Sequence, residues 1–426
     1  MKVEQAGART PLRAARNLCR LVTTARSGVR ALPSAVILWS GPRIQMGLAR
    51  ALARALAGAV LLCVPAGASV LDERAKASPK EVPLPIIERF ENYGKEAGIP
   101  AEKVHCVLKT SEGQLWIGTW NGLCIREDNG KFRRYGPEDG LSHKMVLCMV
   151  EDPKTGDLWI GTMRGLNRFS GGKFTAFTQT DSGLPNNVVY GVDIIDDMVW
   201  VATAAGAGAY NPKTGAWKIY DQNNSIMHEP WCYAIKGGKD KVYIGVWGGG
   251  IVEHDPKAGS FKAYRDPDAD FQFVLVPDSG PINDITSWLA WNEGILWQCT
   301  YFGLSWYDGK FWKTWIEGKS PLPSNFTQFA WPVHRYCWIG MDRGASVTDG
   351  KYWVNYLVGD KGEGIVEIHR PGQPVETRTT PTALVNCFVL GIWADDNEAW
   401  FATSKGLSHG IFAPCQRPAT VAEAKP

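Results

Sequence analysis

Short apolar and aromatic runs alternate with polar turns along residues 87–412, and one run recurs in nearly the same form. It reads LWIGT at 115–119, followed by Gly122 and Leu123, and it returns at 158–162. Seven copies, four of them diverged, end at positions that are 41 to 62 residues apart: 119, 162, 203, 246, 300, 341 and 403. Self-similarity at this period, built from short strands, predicts an all-β fold, a β-propeller with four-stranded blades.

A second repeated element, two aromatic residues separated by two others, indicates the number of blades. Six copies each follow an LWIGT copy: Phe132 and Tyr135, Phe174 and Phe177, Trp217 and Tyr220, Phe261 and Tyr264, Trp312 and Trp315, Trp353 and Tyr356. The seventh pair, Phe90 and Tyr93, lies ahead of the first repeat. We therefore predict seven blades, the last of which is closed by the N-terminal strand, so that the ring has no open inner edge.

Within one repeat, each strand and turn can be located. An alternating run at 145–151 predicts the inner strand, 158–162 the second strand, 165–169 the third and 173–178 the outer strand. Hairpins and polar turns join them. The sequence therefore places the Thr-x-x-Gly hairpins and the outer-to-inner loops on one face, which we call the top face, and the short polar turns on the bottom face.

The N-terminal region differs from the repeats. Residues 1–45 carry eight basic residues and one acidic residue, and they form a possible upstream over-extension of the chain. Residues 46–68 predict a signal peptide, with two arginines, a short apolar run and a small-x-small site at Ala66 to Ala68. Residues 69–86 predict a linker and 413–426 a flexible tail. The sequence thus predicts export to the periplasm or beyond.

Charge excludes one class of partner. The whole chain has a formal net charge of +3. Removal of residues 1–68 takes away ten basic residues and one acidic residue, which leaves 36 Lys and Arg against 42 Asp and Glu. An acidic mature chain is a poor partner for nucleic acid. We expect a domain that is monomeric and is not an integral membrane protein.

Eight of the ten cysteines follow residue 68, a number that would allow disulfides in an exported protein. Alignment on the loop prolines instead places mostly small residues at one inner-strand position: Cys106, Cys148, Gly191, Cys232, Ser287, Phe329 and Cys387. We interpret the cysteines there as small packing residues near a crowded axis. A thiolate ring that binds a soft metal, or a single disulfide, is the alternative. We expect no metal and no cofactor.

The top face carries the candidate binding residues. Hairpin tips and loop positions two residues past the aligned proline supply them: Trp120, Asn121, Arg164, Asn187, His228, Trp247, Tyr301, Phe302, Arg343 and Lys405. The position past the proline also includes Asn283 and Ala383. Two long insertions, 265–282 and 357–380, fall in outer-to-inner loops and are expected on the same face, the second as a hairpin turning at 371–372. Aromatic side chains beside amide and charged groups suit recognition, or else they cap the blades.

The chain contains none of the common catalytic motifs, such as HExxH, GxSxG or a phosphate-binding loop. The alternative to a binding module is a propeller-type lyase or hydrolase that uses His143, His228 or Glu102 near the axis. A structural subunit of an envelope complex is a third possibility.

The repeat itself resembles a known family. LWIGT with Gly-Leu, preceded by GLPNNVV at 183–189, is similar to the two-component regulator propeller repeat of periplasmic sensor regions. The resemblance implies a seven-bladed propeller that binds an extracellular ligand, often a glycan fragment. We therefore predict an exported, non-catalytic binding or sensor module for a small molecule, a glycan or an envelope protein.

Overall fold

A computed structural model describes residues 84–267 and 278–412. The predictions for residues 1–45, 46–68 and 413–426, for most of the linker at 69–86, and for part of the first insertion lie outside these residues. The described chain forms seven antiparallel sheets, and the inner strand of each contacts the inner strand of the next around a closed ring. The predicted all-β, seven-bladed propeller is confirmed.

Thirty strands build the blades. Blade 1 consists of β2 (Val104–Lys109), β3 (Leu115–Thr119), β4 (Gly122–Arg126) and β5 (Phe132–Tyr135). Blade 2 consists of β6 (Val146–Glu151), β7 (Leu158–Thr162), β8 (Gly165–Ser170) and β9 (Lys173–Phe177). Blade 3 consists of β10 (Val189–Ile195), β11 (Met198–Thr203), β12 (Gly206–Tyr210) and β13 (Trp217–Tyr220). Blades 4 and 5 consist of β14 (Cys232–Gly237), β15 (Val242–Val246), β16 (Gly250–Asp255) and β17 (Ser260–Tyr264); and β18 (Thr286–Asn292), β19 (Ile295–Thr300), β20 (Leu304–Tyr307) and β21 (Trp312–Trp315).

Blades 6 and 7 depart from the plain four-strand order. Blade 6 consists of β22 (Thr327–Val333), β23 (Tyr336–Met341), β24 (Gly344–Thr348), β25 (Trp353–Val358), β26 (Gly364–His369) and β27 (Glu376–Thr380). Blade 7 consists of β28 (Val389–Ala394), β29 (Glu398–Thr403), β30 (Gly406–Phe412) and β1 (Ile87–Tyr93). The helical structure in the described residues is limited to two 3₁₀ turns, Lys95–Ala97 and Pro137–Asp139.

The threonine of the repeat closes its own hairpin. The Oγ1 of Thr119 donates to the Gly122 carbonyl at 2.8 Å and accepts the Asn121 N–H at 3.0 Å. The same pair of bonds occurs at Thr162, Thr203, Thr300 and Thr403. Gly122 has a φ of 130°, and a Cβ there would lie 2.7 Å from the Tyr135 carbonyl of the outer strand. Threonine and glycine at this spacing thus form a side-chain-closed turn.

The glycine inside LWIGT sets the spacing between blades. A Cβ on Gly118 would lie 2.5 Å from both the Cys106 Sγ of its own blade and the Cγ1 of Val146 in the next blade. Gly161 and Gly340 are crowded in the same way by Val189 and Val389, and Gly245 by Thr286. A β-branched residue at the start of each of these inner strands therefore packs into the space that the missing side chain leaves.

The tryptophan of the repeat also has a packing role within its blade. Trp116 stacks on Tyr135 with ring centroids 5.9 Å apart, and Trp338 stacks on Tyr356 at 5.8 Å. In blade 7 the ring of Trp400 lies 5.7 Å from that of Tyr93, which comes from the N-terminal strand. Phe90 and Tyr93 thus supply the aromatic pair that blade 7 lacks, as predicted.

Closure depends on several contacts besides the strand pairing of β1 with β30. The buried Tyr356 hydroxyl donates to the Pro85 carbonyl at 2.9 Å and accepts the Ile87 N–H at 3.0 Å. Thr382 Oγ1 bonds to both the N–H and the carbonyl of Phe90. Leu84 and Ile86 are buried with them, so the chain packs on the blades from residue 84, two residues before the predicted end of the linker.

The second insertion does not rise on the top face, and that prediction is wrong. It forms the predicted hairpin, but its strands β26 and β27 add to the outer edge of blade 6 and make a six-stranded sheet. The reason is its apolar face: Val366 and Ile368 are buried with Ile87 and Phe90 of the closing strand. The insertion therefore supports the closure of the ring.

The predicted alignment of inner-strand positions is wrong in three blades. Pairing with the second strand shows that the equivalents of Cys106 are Cys148, Gly191, Ala234, Trp288, Phe329 and Gly391. Cys232 lies two residues earlier, and Cys387 precedes its strand. Five of the seven residues are small, while Trp288 and Phe329 in adjacent blades stack on each other at 4.4 Å. Loops of different length caused the error, because the alignment rested on prolines outside the strands.

The seven described cysteines are all free thiols, and six of them are buried. Cys148 Sγ lies 3.8 Å from the Val189 carbonyl of the next blade, which is a packing contact. Burial raises the pKa of the Cys106, Cys124 and Cys232 thiols to about 12. These side chains are therefore protonated at neutral pH and serve as small apolar residues.

The contacts of the closing strand lead to a first prediction. Deleting residues 69–93 removes β1 with its buried Ile87 and Phe90, and we expect the free energy of unfolding to fall by at least about 5 kcal/mol. Deleting only residues 69–83 leaves every described contact in place and should not change the melting temperature. Thermal unfolding followed by circular dichroism measures both. Equal melting of the two truncated chains would contradict closure by the N-terminal strand.

A point substitution tests the same closure in the full-length chain. Tyr356→Phe leaves the Pro85 carbonyl and the Ile87 N–H without their partner and should cost about 1–2 kcal/mol of stability. Tyr210→Phe is the matched control, since the Tyr210 hydroxyl makes no hydrogen bond to another described residue. Urea denaturation compares the two variants. A Tyr356→Phe chain as stable as the control would show that these bonds contribute nothing.

Thiol labelling gives a second prediction. At pH 8 in the folded chain, Cys106, Cys124, Cys148, Cys232, Cys299 and Cys337 should react very slowly, because burial raises the pKa of all six thiols. At a pKa of about 12, as for Cys106, only about one thiol in ten thousand is ionised at this pH. All six should react at once in denaturant without reductant. Peptide mass spectrometry identifies each site, and Cys387, which is half-buried, serves as the internal comparison. A disulfide between any two of the six would refute the packing role.

Candidate functional site

The strand directions place the two faces of the propeller. In each blade the hairpin after the second strand and the loop after the outer strand lie on the top face, because neighbouring strands are antiparallel. Strand β1 begins and strand β30 ends on the bottom face, where Ile87 is paired with Phe412. The top face is therefore free of the two ends of the described propeller.

Backbone bonds tie each top-face hairpin to the next blade. The N–H of Gly122 donates to the Lys144 carbonyl at 2.6 Å, and Gly206 and Gly344 make the same bond to Pro230 and Cys387. These acceptors are the true equivalents of Lys144. The sequence alignment had predicted His228, Asn283 and Ala383 at that position. They precede its true occupants, Pro230, Asp284 and Cys387, by two, one and four residues. The cause is again the variable length of the loops.

A continuous row of aromatic rings crosses the top face. The side chains are Tyr190, Tyr233, Trp247, Tyr301, Phe326 and Phe388, from blades 3 to 7, and we call them the aromatic arc. Successive ring centroids are 4.4, 4.9, 5.1, 4.1 and 6.0 Å apart. Every ring in the arc is half-buried, so each packs against its neighbours and still presents area to solvent.

The register of the strands explains how the arc forms. Tyr190 and Tyr233 occupy the bulge at which each inner strand shifts its pairing. Trp247 and Tyr301 are the first residues of their hairpins, and Phe326 and Phe388 directly precede their inner strands. Residues some 40 positions apart in sequence thus meet because each fills a top position of an adjacent blade. Bulges redirect side chains in this way.

Burial gives the arc a low-polarity environment. It raises the pKa of the Tyr190 and Tyr233 hydroxyls, so both are neutral at physiological pH. Trp231, which bonds to Trp247 through its carbonyl, is 37% exposed. A small cavity lined by Trp297, His334 and Tyr336 lies instead on the bottom face. The arc is thus an extended apolar surface with aromatic character.

Blades 1 and 2 complete the ring with basic residues. The Lys103 ammonium lies 4.1 Å from the centre of the Trp120 ring, a cation–π contact. Burial and the adjacent Lys103 charge lower the pKa of His105 to about 3, so this imidazole is neutral at pH 7. Lys144 and Arg164 are exposed. The top face therefore combines an aromatic side with a basic side.

The predicted binding residues divide into two groups in the structure. Trp120, Trp247 and Tyr301 make ring contacts on the top face, and the half-buried Asn121 and Phe302 follow Trp120 and Tyr301 at the hairpin tips. The others make polar contacts or are exposed. Asn187 accepts the Gln179 N–H at 2.8 Å, Arg343 pairs with Glu317 at 2.9 Å, and His228, Arg164 and Lys405 are exposed.

The three candidate catalytic side chains are not brought together. His143 accepts the Met145 N–H, Glu102 pairs with Lys95 at 3.4 Å, and His228 lies in an exposed loop. No hydrogen bond or ion pair joins the three to one another. In the described part of the chain no group of three His, Cys, Asp or Glu side chains could hold a metal ion. The structure thus offers no acid–base arrangement among these candidates.

Four residues of the arc escaped the sequence analysis: Tyr190, Tyr233, Phe326 and Phe388. Each adjoins the start of an inner strand, where an aromatic residue could equally have been part of the core. The signal that could have identified them is their repeated position relative to the LWIGT copy of the same blade. Recognising it requires the bulge, which sequence periodicity does not show.

Comparisons with known proteins agree with the fold. Residues 98–121 match the family described as two component regulator propeller. Comparison with curated protein sequences gives no match. Among the residues that the structure describes, no helix has the length and hydrophobicity to cross a membrane.

Solved structures with the same fold include two kinds of protein. Two extracellular domains assigned to hybrid two-component systems of B. thetaiotaomicron are 18% and 19% identical, with TM-scores of 0.56 and 0.58 over 76% of this chain. This chain spans about two fifths of their length, 42% and 39%. Virginiamycin B lyase from Staphylococcus aureus is 14% identical, with a TM-score of 0.51 over 76% of this chain and 98% of the lyase.

At these identities the structural similarity shows the fold alone, and the family match is confined to residues 98–121. Seven blades, an N-terminal strand that closes the last one, and the matched segment in blade 1 agree with each other. The chain is therefore a seven-bladed β-propeller in which residues 98–121 match the two component regulator propeller family, and its fold is similar to that of extracellular domains of two-component systems.

Proposed function

We propose that this chain is an exported, non-catalytic binding or sensor module that recognises its ligand or partner on the top face. The aromatic arc is the observation that carries the proposal. Six half-buried rings on one face of a rigid scaffold form a recognition surface, because aromatic side chains bury a large area at little entropic cost.

Two further observations support this assignment. Both ends of the described propeller lie on the bottom face, so that a tether at either end would leave the top face accessible. The bottom turns carry exposed ion pairs such as Lys154 with Asp197 and Lys257 with Asp240, and exposed pairs contribute little to binding. The similar solved domains are extracellular, which agrees with the signal peptide predicted at residues 46–68.

Side-chain truncation tests the working face. Trp247→Ala, Tyr301→Ala, Trp120→Ala and Arg343→Ala should weaken capture of the native ligand or partner from an envelope fraction. At least one should cost about 2 kcal/mol, since large aromatic and arginine side chains dominate binding hot spots. Titration of the identified ligand by calorimetry measures the loss.

Matched changes on the bottom face provide the control for this experiment. Lys154→Ala and Lys257→Ala should bind like the unchanged chain, and all six variants should melt within a few degrees of it. Equal losses on both faces, or losses confined to the two bottom-face variants, would exclude the top face as the binding surface.

Export has its own test. In a Gram-negative host the mature protein should begin at Ser69, because signal peptidase cleaves after a small residue such as Ala68. N-terminal sequencing of the periplasmic fraction identifies the start. Ala68→Leu should block cleavage, whereas Ala77→Leu, further along the predicted linker, should not. An unprocessed protein retained in the cytoplasm would refute export.

A further inference from the structure

Charges on the top face are distributed unevenly. On the aromatic side, Arg265 pairs with Asp284 and Arg343 pairs with Glu317, each at 2.9 Å. On the other side, Lys144, Arg164 and Lys405 are exposed and form no ion pair with a described residue. We call these three cations, which come from blades 7 and 2 on either side of blade 1, the basic sector. The neighbouring carboxylates Glu102 and Glu138 pair with Lys95 and Arg134, so that the three cations of the basic sector remain to meet an anionic group from outside.

A backbone contact connects the basic sector with the hairpin that carries Trp120. The Gly122 N–H that follows Trp120 and Asn121 donates to the Lys144 carbonyl. Burial, together with the charges of Lys144 and Arg164, lowers the pKa of His143, which directly precedes Lys144. An anionic group placed there would meet several cations at once.

The length of the arc indicates the shape of its occupant. Six rings separated by 4.1 to 6.0 Å extend over five blades, whereas a single sugar or aromatic ring would cover only two or three of them. An extended peptide advances about 3.3 Å per residue, so roughly six to eight residues would follow the whole arc. Apolar side chains of such a peptide would bury the exposed area of the rings, including the neighbouring Trp231.

We propose that the top face binds an extended segment of a partner protein, with aromatic or apolar side chains on the arc and a run of carboxylates on the basic sector. This inference rests on the proposed function and specifies its partner. Charge complementarity selects acidic over basic segments and accelerates association, while the arc provides the contact area.

Synthetic peptides test this directly with the full-length chain. The probe is a fluorescein-labelled dodecapeptide with alternating Phe and Ser followed by four Asp residues. Two controls replace the four Asp by Lys, or every Phe by Ser. Fluorescence anisotropy at low salt should show that the first peptide binds at least tenfold more tightly than either control, and that its affinity falls as salt is added.

Variants then test the basic sector and the aromatic surface separately. Lys144→Glu with Arg164→Glu should weaken binding of the acidic peptide at least tenfold and strengthen binding of the Lys peptide. Trp231→Ala should weaken the acidic peptide while leaving the preference for Asp over Lys unchanged. Lys154→Glu with Lys257→Glu is the matched bottom-face control and should change neither affinity. Melting curves confirm that each variant is folded.

Several results would overturn the inference. These are equal binding of the Asp and Lys peptides, equal binding of the Phe-free peptide, or no binding of any peptide at the highest concentration tested. If a captured small molecule or glycan depends on Trp247 while the peptides fail, the peptide inference is wrong and the proposed function stands. If Trp247→Ala and Tyr301→Ala also leave capture of the native ligand unchanged, the peptide inference and the proposed function are both wrong.

Discussion

The packing of each inner strand against the preceding blade is the constraint on which the rest of this structure depends. Gly118 and its equivalents leave room for one β-branched side chain, such as Val146, from the next blade. One methyl group at that position would overlap both the next blade and the neighbouring thiol. The contact occurs at four of the seven junctions, and the small residues Ala202, Cys299 and Ala402 occupy the equivalent position at the other three. Small residues at this position thus hold the angle between blades around the ring.

Closure then determines how the two faces can be used. The N-terminal strand completes blade 7, and the added strands of blade 6 bury the segment that leads into it. Tyr356 joins these parts by bonding to the backbone at Pro85 and Ile87. The consequence is that the stabilising elements, and both ends of the described propeller, lie at the outer edge and the bottom, while the top face carries the aromatic arc and the basic sector.

The aromatic arc shows how a repeat fold produces a binding surface. Each blade supplies one or two top positions, and the residues there take no part in the glycine contact between Gly118-type positions and the next inner strand. Blades 3 to 7 carry the six aromatic residues of the arc, whereas blade 1 has Trp120 beside Lys103 and blade 2 exposes Lys144 and Arg164. A regular scaffold with variable tops can therefore acquire a directional surface, aromatic on one side and cationic on the other.

The sequence by itself determined the fold class, the seven blades, the closing strand and the hairpin tips Trp120, Trp247 and Tyr301, because these depend on local patterns that repeat with the strand period. It did not determine the true equivalents of Cys106, the position of the second insertion or the members Tyr190, Tyr233, Phe326 and Phe388 of the arc. Loop lengths shift a sequence alignment by one to four residues, and a shift of one residue reverses the side of a strand. Only the tertiary structure decided these points, since hydrogen-bonded register and contact between blades relate residues that are about 40 positions apart.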